Sequence, residues 1–182
     1  RAARDAAAVR GLLEEQQRLL ALVAAQPQWR TALTDADAGV QVKLSIRRTW
    51  AAAPDLAWVS EQGRVVVPGG DLLAGSNVTG QRWFDEAVRG PLLADEQAGA
   101  KTALRAVQPL HDPAAQRTAG LVVSSIDCDA VTQRLSPDAR PVGAMWALLG
   151  RDGQARCAQA GFPSALLVRA PVADAEWIRG AG

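Results

Sequence analysis

An arginine and two adjacent aromatic residues stand at the predicted start of a short helix, in the segment NVTGQRWFDEAVRGP at 77–91. The indole of Trp83 can stack on a ligand and donate one hydrogen bond, and the guanidinium of Arg82 matches the planar geometry of a carboxylate. The first turn of a helix adds backbone N–H groups that suit anions. With Phe84, these residues are therefore candidates for the wall of a small-molecule pocket. Two core rings beside a surface arginine would explain the same segment, and composition alone slightly favours this second interpretation.

The sequence offers little support for catalysis. It contains no glycine-rich phosphate loop, nucleophile elbow or zinc-binding helix motif. A nucleophilic Cys128 would need a base, and the single histidine, His111, falls in a predicted loop. Asp85 and Glu86 are neighbours on a helix and so face different directions. We therefore expect no enzymatic activity, no cofactor and no metal in this chain.

Bulk composition places the chain among globular proteins. Its 182 residues are 48% hydrophobic, which is enough for one domain or for one domain with a smaller annex. The net charge is +1 and basic residues form no block, so a nucleic-acid partner is not expected. No apolar run is long enough to span a bilayer. Because the chain begins at Arg1 without a methionine, we expect a fragment of a longer protein, and a membrane-bound parent is compatible with it.

The two cysteines leave two interpretations open. Cys128 and Cys157 lack a CxxC spacing and a nearby histidine. They can be buried small hydrophobic residues, or they can form a disulfide in an oxidising compartment. The spacing alone does not decide between these interpretations.

The first third of the sequence predicts helices. Residues 1–25 carry apolar side chains at helical spacing with charged residues between them, and Pro27 ends this long amphipathic helix. A shorter apolar turn follows at 28–35, and 38–52 fits a further helix.

The remainder predicts an antiparallel sheet. Residues 56–59 and 65–67 flank a polar turn and form a hairpin, after which 71–80 is a loop. Later strands are predicted at 101–110 and 119–127, followed by a helix near 129–135. A second hairpin at 145–149 and 154–158 begins a small second β lobe, with one more strand near 165–168. The order of helices and hairpins predicts an α+β fold.

Three segments together resemble a known family. DLAWVSEQGRVVV, GSNVTGQRWFDEAVRGP and ALRAVQPLHDPAAQRTAGLVVSSIDCDAV, in this order, are similar to the Cache domain, a PAS-like extracytoplasmic sensor module of bacterial membrane receptors. The resemblance implies a Cache domain with its long N-terminal helix at 1–137 and a partial, membrane-proximal lobe at 138–182.

The resemblance also implies a function and a location. It indicates a periplasmic ligand-sensing domain of an inner-membrane signalling protein, such as a histidine kinase of a two-component system, a diguanylate cyclase or a chemoreceptor. The N-terminal helix would rise from the membrane and offers a surface for a homodimer. The alternative is a ligand-free dimerisation or coupling module of such a receptor.

Carried over by position, the site residues depart from the family pattern. Trp83 and Phe84 match the family's ring pair, but Gln81 stands where the family has its carboxylate-binding arginine. Ser125 falls where the family has its ammonium-binding aspartate, and Asp127 matches the next, structural aspartate. Without these two charged groups a zwitterion would be buried unpaired, which is costly. The resemblance therefore implies a neutral or weakly polar ligand that is not a standard amino acid, or none.

Further pocket candidates depend on the orientation of the strands. Trp58, Lys101 and Arg105 lie on predicted strands, and each would face the pocket in one register. A shift of one residue would turn each of them to the opposite face of the sheet.

Overall fold

The chain folds into a layer of helices and an antiparallel sheet in a computed structural model. The structure describes residues 2–50, 53–98, 101–126, 128, 131, 147–149 and 155–158. The helices are α1 (Ala2–Ala25), α2 (Trp29–Thr34), α3 (Ala36–Thr49) and α4 (Arg82–Ala87). The strands are β1 (Leu56–Ser60), β2 (Val65–Val67), β3 (Leu92–Ala98), β4 (Lys101–Asp112), β5 (Arg117–Ile126), β6 (Ala147–Leu149) and β7 (Ala155–Ala158).

The main sheet has five antiparallel strands in the order β2-β1-β5-β4-β3. In the central pair, Trp58 of β1 lies opposite Val122 of β5, and Val59 lies opposite Leu121. The strands β6 and β7 pair antiparallel in a separate two-stranded sheet. These features confirm the predicted α+β fold with its long N-terminal helix, PAS-like sheet and second β hairpin.

One strand of the sheet was not predicted from the sequence. The segment LLADEQA forms β3, which lies at the edge of the sheet beside β4. Its central Asp-Glu-Gln run lacks the alternation of apolar and polar residues that indicates a strand. Pairing with β4, and not local preference, makes this segment a strand. The predicted helix near 129–135 and the predicted strand near 165–168 fall largely or wholly outside the described residues.

The chain divides into two compact units, each built from segments that are distant in sequence. The first combines residues 1–14, 95–104 and 126–182, and the second combines 15–94 and 105–125. The predicted domain boundary at 137/138 falls outside the described residues and stays a prediction. None of the helices in the described part of the chain is both long and apolar enough to cross a membrane.

A disulfide joins the two cysteines within the first unit. Cys128 and Cys157 are bonded, with their Cα atoms 5.3 Å apart, and Cys157 lies on β7. The bond decides between the two interpretations that the sequence left open.

The two faces of the main sheet in the second unit carry different layers. Ser124 of β5 donates a hydrogen bond to the Gln16 side chain of α1, at 3.1 Å, so its face of the sheet is the helix face. Side chains alternate along a strand, and Trp58 lies opposite Val122, so Trp58 also belongs to the helix face. The opposite face packs against α4, and we call it the α4 face. Its apolar residues are Ala57, Val59, Val107, Leu121 and Val123.

Helix α3 begins at a capped end and packs closely on its neighbours. The side chain of Asp35 accepts hydrogen bonds from the backbone N–H groups of Asp37 and Ala38, at 2.9 and 3.1 Å, which satisfies donors at the first turn. A Cβ atom added to Gly39 would lie 3.1 Å from the Ala32 carbonyl oxygen and would overlap Val67. Only glycine therefore allows α3 to lie this close to α2 and β2.

Helix α3 also holds the loop that follows β2. The Lys43 ammonium lies 2.7 Å from the Asp55 carboxylate and donates to the Pro68 carbonyl oxygen at 2.6 Å. The other oxygen of Asp55 accepts from the Gly70 backbone N–H at 2.8 Å. We call residues 68–71 the PGGD loop, and these contacts connect it to α3.

The charge of Asp55 stabilises this connection. Partial burial raises the pKa of the Asp55 carboxyl, but hydrogen bonds from Lys43 and Gly70 and the nearby charges of Lys43 and Arg47 outweigh it. The pKa of Asp55 therefore lies below its ordinary value of 3.8. A carboxyl whose pKa is lower in the folded state stabilises the fold above its unfolded pKa, and this contribution disappears as the pH falls through the folded pKa.

We predict that Asp55 contributes to the acid sensitivity of the fold. The free energy of unfolding of the wild type should fall as the pH drops from 6 to below the ordinary pKa of 3.8, because Asp55 loses its charge. The Asp55→Asn variant should lose less over the same interval, since it lacks this contribution at every pH. Urea unfolding at several pH values measures the free energy of unfolding of both proteins. Equal losses would contradict a role of Asp55 in acid sensitivity.

We predict that reduction of the disulfide destabilises the first unit. In the chain-entropy model, a cross-link between residues 29 positions apart lowers the entropy of the unfolded chain and thereby stabilises the folded state by about 3.5 kcal/mol. Dithiothreitol should lower the free energy of unfolding of the wild type by roughly this amount, as followed by urea titration. The Cys128→Ala/Cys157→Ala variant should start at the lower value and show no response to dithiothreitol. A wild type insensitive to the reductant would contradict the prediction.

Candidate functional site

A buried arginine lies at the centre of the candidate site. Arg105 is a charged residue, yet its side chain is only 2% exposed. It precedes Val107 by two positions on β4, and it therefore faces α4. Its guanidinium carbon lies 5.3 Å from the centroid of the Trp83 ring, which is within the range of a cation–π interaction.

The counter-charge of Arg105 comes from the PGGD loop. One oxygen of the Asp71 carboxylate accepts a hydrogen bond from the Arg105 guanidinium. The other oxygen accepts from the Ser125 hydroxyl at 2.7 Å. An unpaired buried cation would be strongly destabilising, so this pair stabilises Arg105 in its interior position.

Two glycines allow the PGGD loop to reach the sheet. Gly70 has a φ of +59°, and a Cβ atom added there would lie 2.5 Å from the Ser125 Cβ. A Cβ atom added to Gly69 would lie 2.7 Å from the Ala57 nitrogen and closer still to the Leu56 backbone. Any larger side chain would lift the loop away from β1 and β5. The dipeptide therefore determines where Asp71 lies.

The aromatic pair at the start of α4 forms the apolar side of the site. Trp83 and Phe84 are buried, and their rings meet edge to face with centroids 6.2 Å apart. Both rings pack in a cluster with Val107, Leu121 and Val123 from the α4 face of the sheet. The pair is thus part of the core, and the buried Arg105 guanidinium lies against the Trp83 ring.

Gln81 orients the tryptophan. Its side-chain oxygen accepts a hydrogen bond from the Trp83 indole N–H at 2.7 Å. Gln81 precedes the first residue of α4 with an extended backbone, at φ −76° and ψ 128°. An amide at this position fixes the ring that stacks on Arg105.

Arg82 lies away from these groups. Its side chain is 91% exposed and forms an ion pair with Glu86, one helical turn later, at 2.7 Å. Consecutive residues on a helix point in different directions, so burial of Trp83 turns Arg82 towards solvent.

The remaining sequence-predicted candidates are distributed more widely. Trp58 is fully buried on the helix face, across the sheet from Trp83. Lys101 is the first residue of β4 and belongs to the first unit. Asp127 lies outside the described residues. The structure therefore brings together Gln81, Trp83, Phe84, Arg105 and Ser125.

Sequence reasoning missed Asp71. Its only local signal is a position directly after Pro-Gly-Gly, which marks a turn and says nothing of a charge partner. Asp71 and Arg105 are separated by 34 residues, and Asp71 and Ser125 by 54. A charged pair does lie beside Trp83, at positions other than those that the family resemblance implied.

The site combines a neutral ion pair with an aromatic wall. The guanidinium carries five N–H donors in a planar arrangement that suits carboxylates and other planar anions. The carboxylate of Asp71 accepts hydrogen bonds, and its side chain is 37% exposed. The arrangement offers hydrogen-bonding groups of both charges to a small polar molecule.

Comparison by sequence gave no assignment. No family model matches the chain. No curated protein matches it either.

Comparison by structure found similar folds. The E. coli DcuS sensor domain is 19% identical, with a TM-score of 0.56 over 70% of this chain and 96% of that domain. The sensor domain of the V. cholerae histidine kinase DctB is 13% identical, with a TM-score of 0.64 over 85% of this chain and 62% of that one. The ligand-binding domain of the Campylobacter jejuni chemoreceptor Tlp3, in complex with 4-methylisoleucine, is 12% identical, with a TM-score of 0.60 over 93% and 69%. The fold that the sequence resemblance predicted is confirmed.

We predict that Gly70→Ala is more destabilising than Gly75→Ala. Both residues have positive φ, at +59° and +75°, but a Cβ atom added to Gly75 would meet nothing within 4 Å. A left-handed alanine costs roughly 1–2 kcal/mol at either position, and at Gly70 the overlap with Ser125 adds to it. Urea unfolding of the two variants measures the difference. Equal losses would show that the PGGD loop can move off the sheet without cost.

Proposed function

We propose that the chain is the extracytoplasmic ligand-sensing domain of a bacterial transmembrane signalling protein. The parent would be a histidine kinase, a diguanylate cyclase or a chemoreceptor. The fold supports this proposal, because it resembles two sensor domains and a chemoreceptor ligand-binding domain. The chain itself would bind a ligand and catalyse no reaction.

The buried Arg105 beside Trp83 is the observation that carries the proposal. A globular core gains nothing from a guanidinium that an apolar residue of similar volume could replace, and such replacement is often neutral or stabilising. A binding site, in contrast, needs a few fixed polar groups on a mainly apolar wall. Arg105, Asp71 and Ser125 against the rings of α4 correspond to that description.

The proposed ligand is a small polar molecule other than a standard amino acid. The amino-acid-binding arginine and aspartate of the Cache pattern are replaced by Gln81 and Ser125. Gln81 binds the Trp83 indole, and Ser125 binds Asp71. The polar contacts to a ligand would therefore come from Arg105 and Asp71.

The disulfide supports the proposed location. Disulfides form and persist in the bacterial periplasm and are rare in the reducing cytoplasm. The bond between Cys128 and Cys157 therefore favours an extracytoplasmic compartment for this chain. In such a parent, α1 would lead towards the membrane and could pair with α1 of a second copy.

A second candidate function is a ligand-free coupling or dimerisation module. One observation favours it: Asp71 already provides Arg105 with a counter-charge in the absence of any ligand. In that case Trp83 and Phe84 would be ordinary core rings. The two candidates differ in whether any small molecule stabilises the fold.

A thermal-shift screen of the purified chain against a metabolite library tests the proposal. A ligand that binds only the folded state stabilises it by RT ln(1 + [L]/Kd), or about 2.7 kcal/mol at one hundred times Kd. We predict that at least one small polar compound raises Tm. A broad library without any shift would contradict ligand sensing and favour the coupling module.

Variants then assign the binding to the site. The shift should disappear in Arg105→Met and in Trp83→Leu, which remove the guanidinium and the stacking ring. It should persist in Arg82→Met, because this exposed arginine lies outside the site. Far-UV circular dichroism confirms that each variant is folded, and Arg105→Lys, which keeps the charge without the planar donors, replaces Arg105→Met if that variant unfolds. A shift that survives both Arg105 variants and Trp83→Leu would place the ligand elsewhere.

A further inference from the structure

The Asp71 carboxylate is bound as the carboxylate of a ligand would be. We propose that Arg105 and Ser125 form an anion subsite, and that Asp71 is a tethered carboxylate which fills it until an anionic group of the ligand displaces it. This inference rests on the proposed ligand-sensing function and adds an internal competitor to it.

The contacts of the carboxylate support the inference. One oxygen of Asp71 accepts from the Arg105 guanidinium, and the other accepts from the Ser125 hydroxyl at 2.7 Å. Hydrogen bonds to charged partners are the strong ones in proteins. A free carboxylate placed at the same position would make the same two kinds of contact.

Arg105 and Asp71 differ in burial, as displacement of Asp71 by a ligand requires. Arg105 is 2% exposed, whereas the Asp71 side chain is 37% exposed. The cation is therefore fixed in the interior, and the anion reaches it from the surface. Asp71 could leave into water with little desolvation cost, whereas the buried Arg105 would lose a charged hydrogen-bond partner.

The backbone that carries Asp71 is a short loop, in which Gly69 and Leu72 exchange two backbone hydrogen bonds. Lys43 binds the Pro68 carbonyl oxygen, and Asp55 binds the Gly70 N–H. Gly69 and Gly70 precede Asp71 directly, and glycine tolerates changes of φ and ψ that other residues do not. Displacement of Asp71 would therefore act on a segment that also contacts α3, which gives the site a mechanical connection to the helices.

An incoming carboxylate must compete with Asp71 for Arg105, so simple monocarboxylates should bind the wild type poorly. If Asp71 instead remained in place to bind the cationic group of a ligand, its removal should weaken the binding of a ligand found in the library screen, whereas displacement predicts that this binding becomes tighter. The two roles predict opposite results for the loss of this side chain.

Chemical rescue of Asp71→Ala by acetate tests the inference. This variant leaves the Arg105 guanidinium without its tethered partner, so its Tm should fall. Sodium acetate should restore several degrees of Tm, compared with sodium chloride at equal ionic strength. The apparent affinity for acetate should exceed that of the wild type by at least tenfold. Acetamide, which has the same shape without the charge, should have no effect.

Two further variants are the controls. Asp71→Ala/Arg105→Met should show no acetate-specific stabilisation, because the cation that binds the anion is absent. Asp71→Ala/Ser125→Ala also removes the hydroxyl donor of the subsite, so acetate should bind this variant more weakly than it binds Asp71→Ala. If Asp71→Ala does not fold, Asp71→Asn serves in its place, since it removes the charge and keeps the shape.

The outcomes separate this inference from the proposed function. Equal acetate effects in the wild type and in the Asp71 variant, or none in either, would overturn the tethered-carboxylate role. The ligand-sensing proposal would survive that result if the library screen found a ligand that depends on Arg105. Rescue by acetate together with an unresponsive library would support the subsite and contradict sensing.

Discussion

The second unit depends on how the buried charge of Arg105 is stabilised. Its guanidinium is 2% exposed and stacks on the ring of Trp83. A buried cation needs a counter-charge with good geometry, because its desolvation is costly. The Asp71 carboxylate meets that need, and the surrounding chain is arranged to bring this carboxylate to the sheet. The glycines of the PGGD loop allow the loop to approach the sheet closely, and Ser125 donates to the Asp71 oxygen that does not contact Arg105.

The same loop connects the site to the helical layer. Lys43 and Asp55 hold Pro68 and Gly70 by direct contacts, and the adjacent residue is Asp71. Two ion pairs on opposite sides of one short segment therefore share a single piece of backbone. In the proposed sensor domain, this arrangement offers a route by which occupancy of a site on the α4 face would affect α3 on the other side.

The sheet separates two kinds of core, and register assigns each residue to one of them. Trp58 and Arg105 were both candidates for the pocket from the sequence, since a one-residue shift reverses the face of a strand. In the sheet, Trp58 pairs with Val122 on the helix face, whereas Arg105 shares the α4 face with Val107. Similarly, Trp83 and Arg82 are neighbours in sequence but diverge on α4, one into the core and one into an exposed pair with Glu86.

The sequence by itself determined the long first helix, both hairpins, the ring pair at the start of α4 and the α+β class. These features follow from helical periodicity, alternation and turn residues, which act between near neighbours. The edge strand β3 could not be predicted from the sequence, because pairing with β4 makes this segment a strand and its Asp-Glu-Gln run does not. Only the tertiary structure decided that the cysteines are bonded and that Asp71 meets Arg105 across 34 residues of chain. Such contacts depend on strand register and on the path of a glycine-containing loop, and local patterns do not encode which distant charge will complete a buried pair.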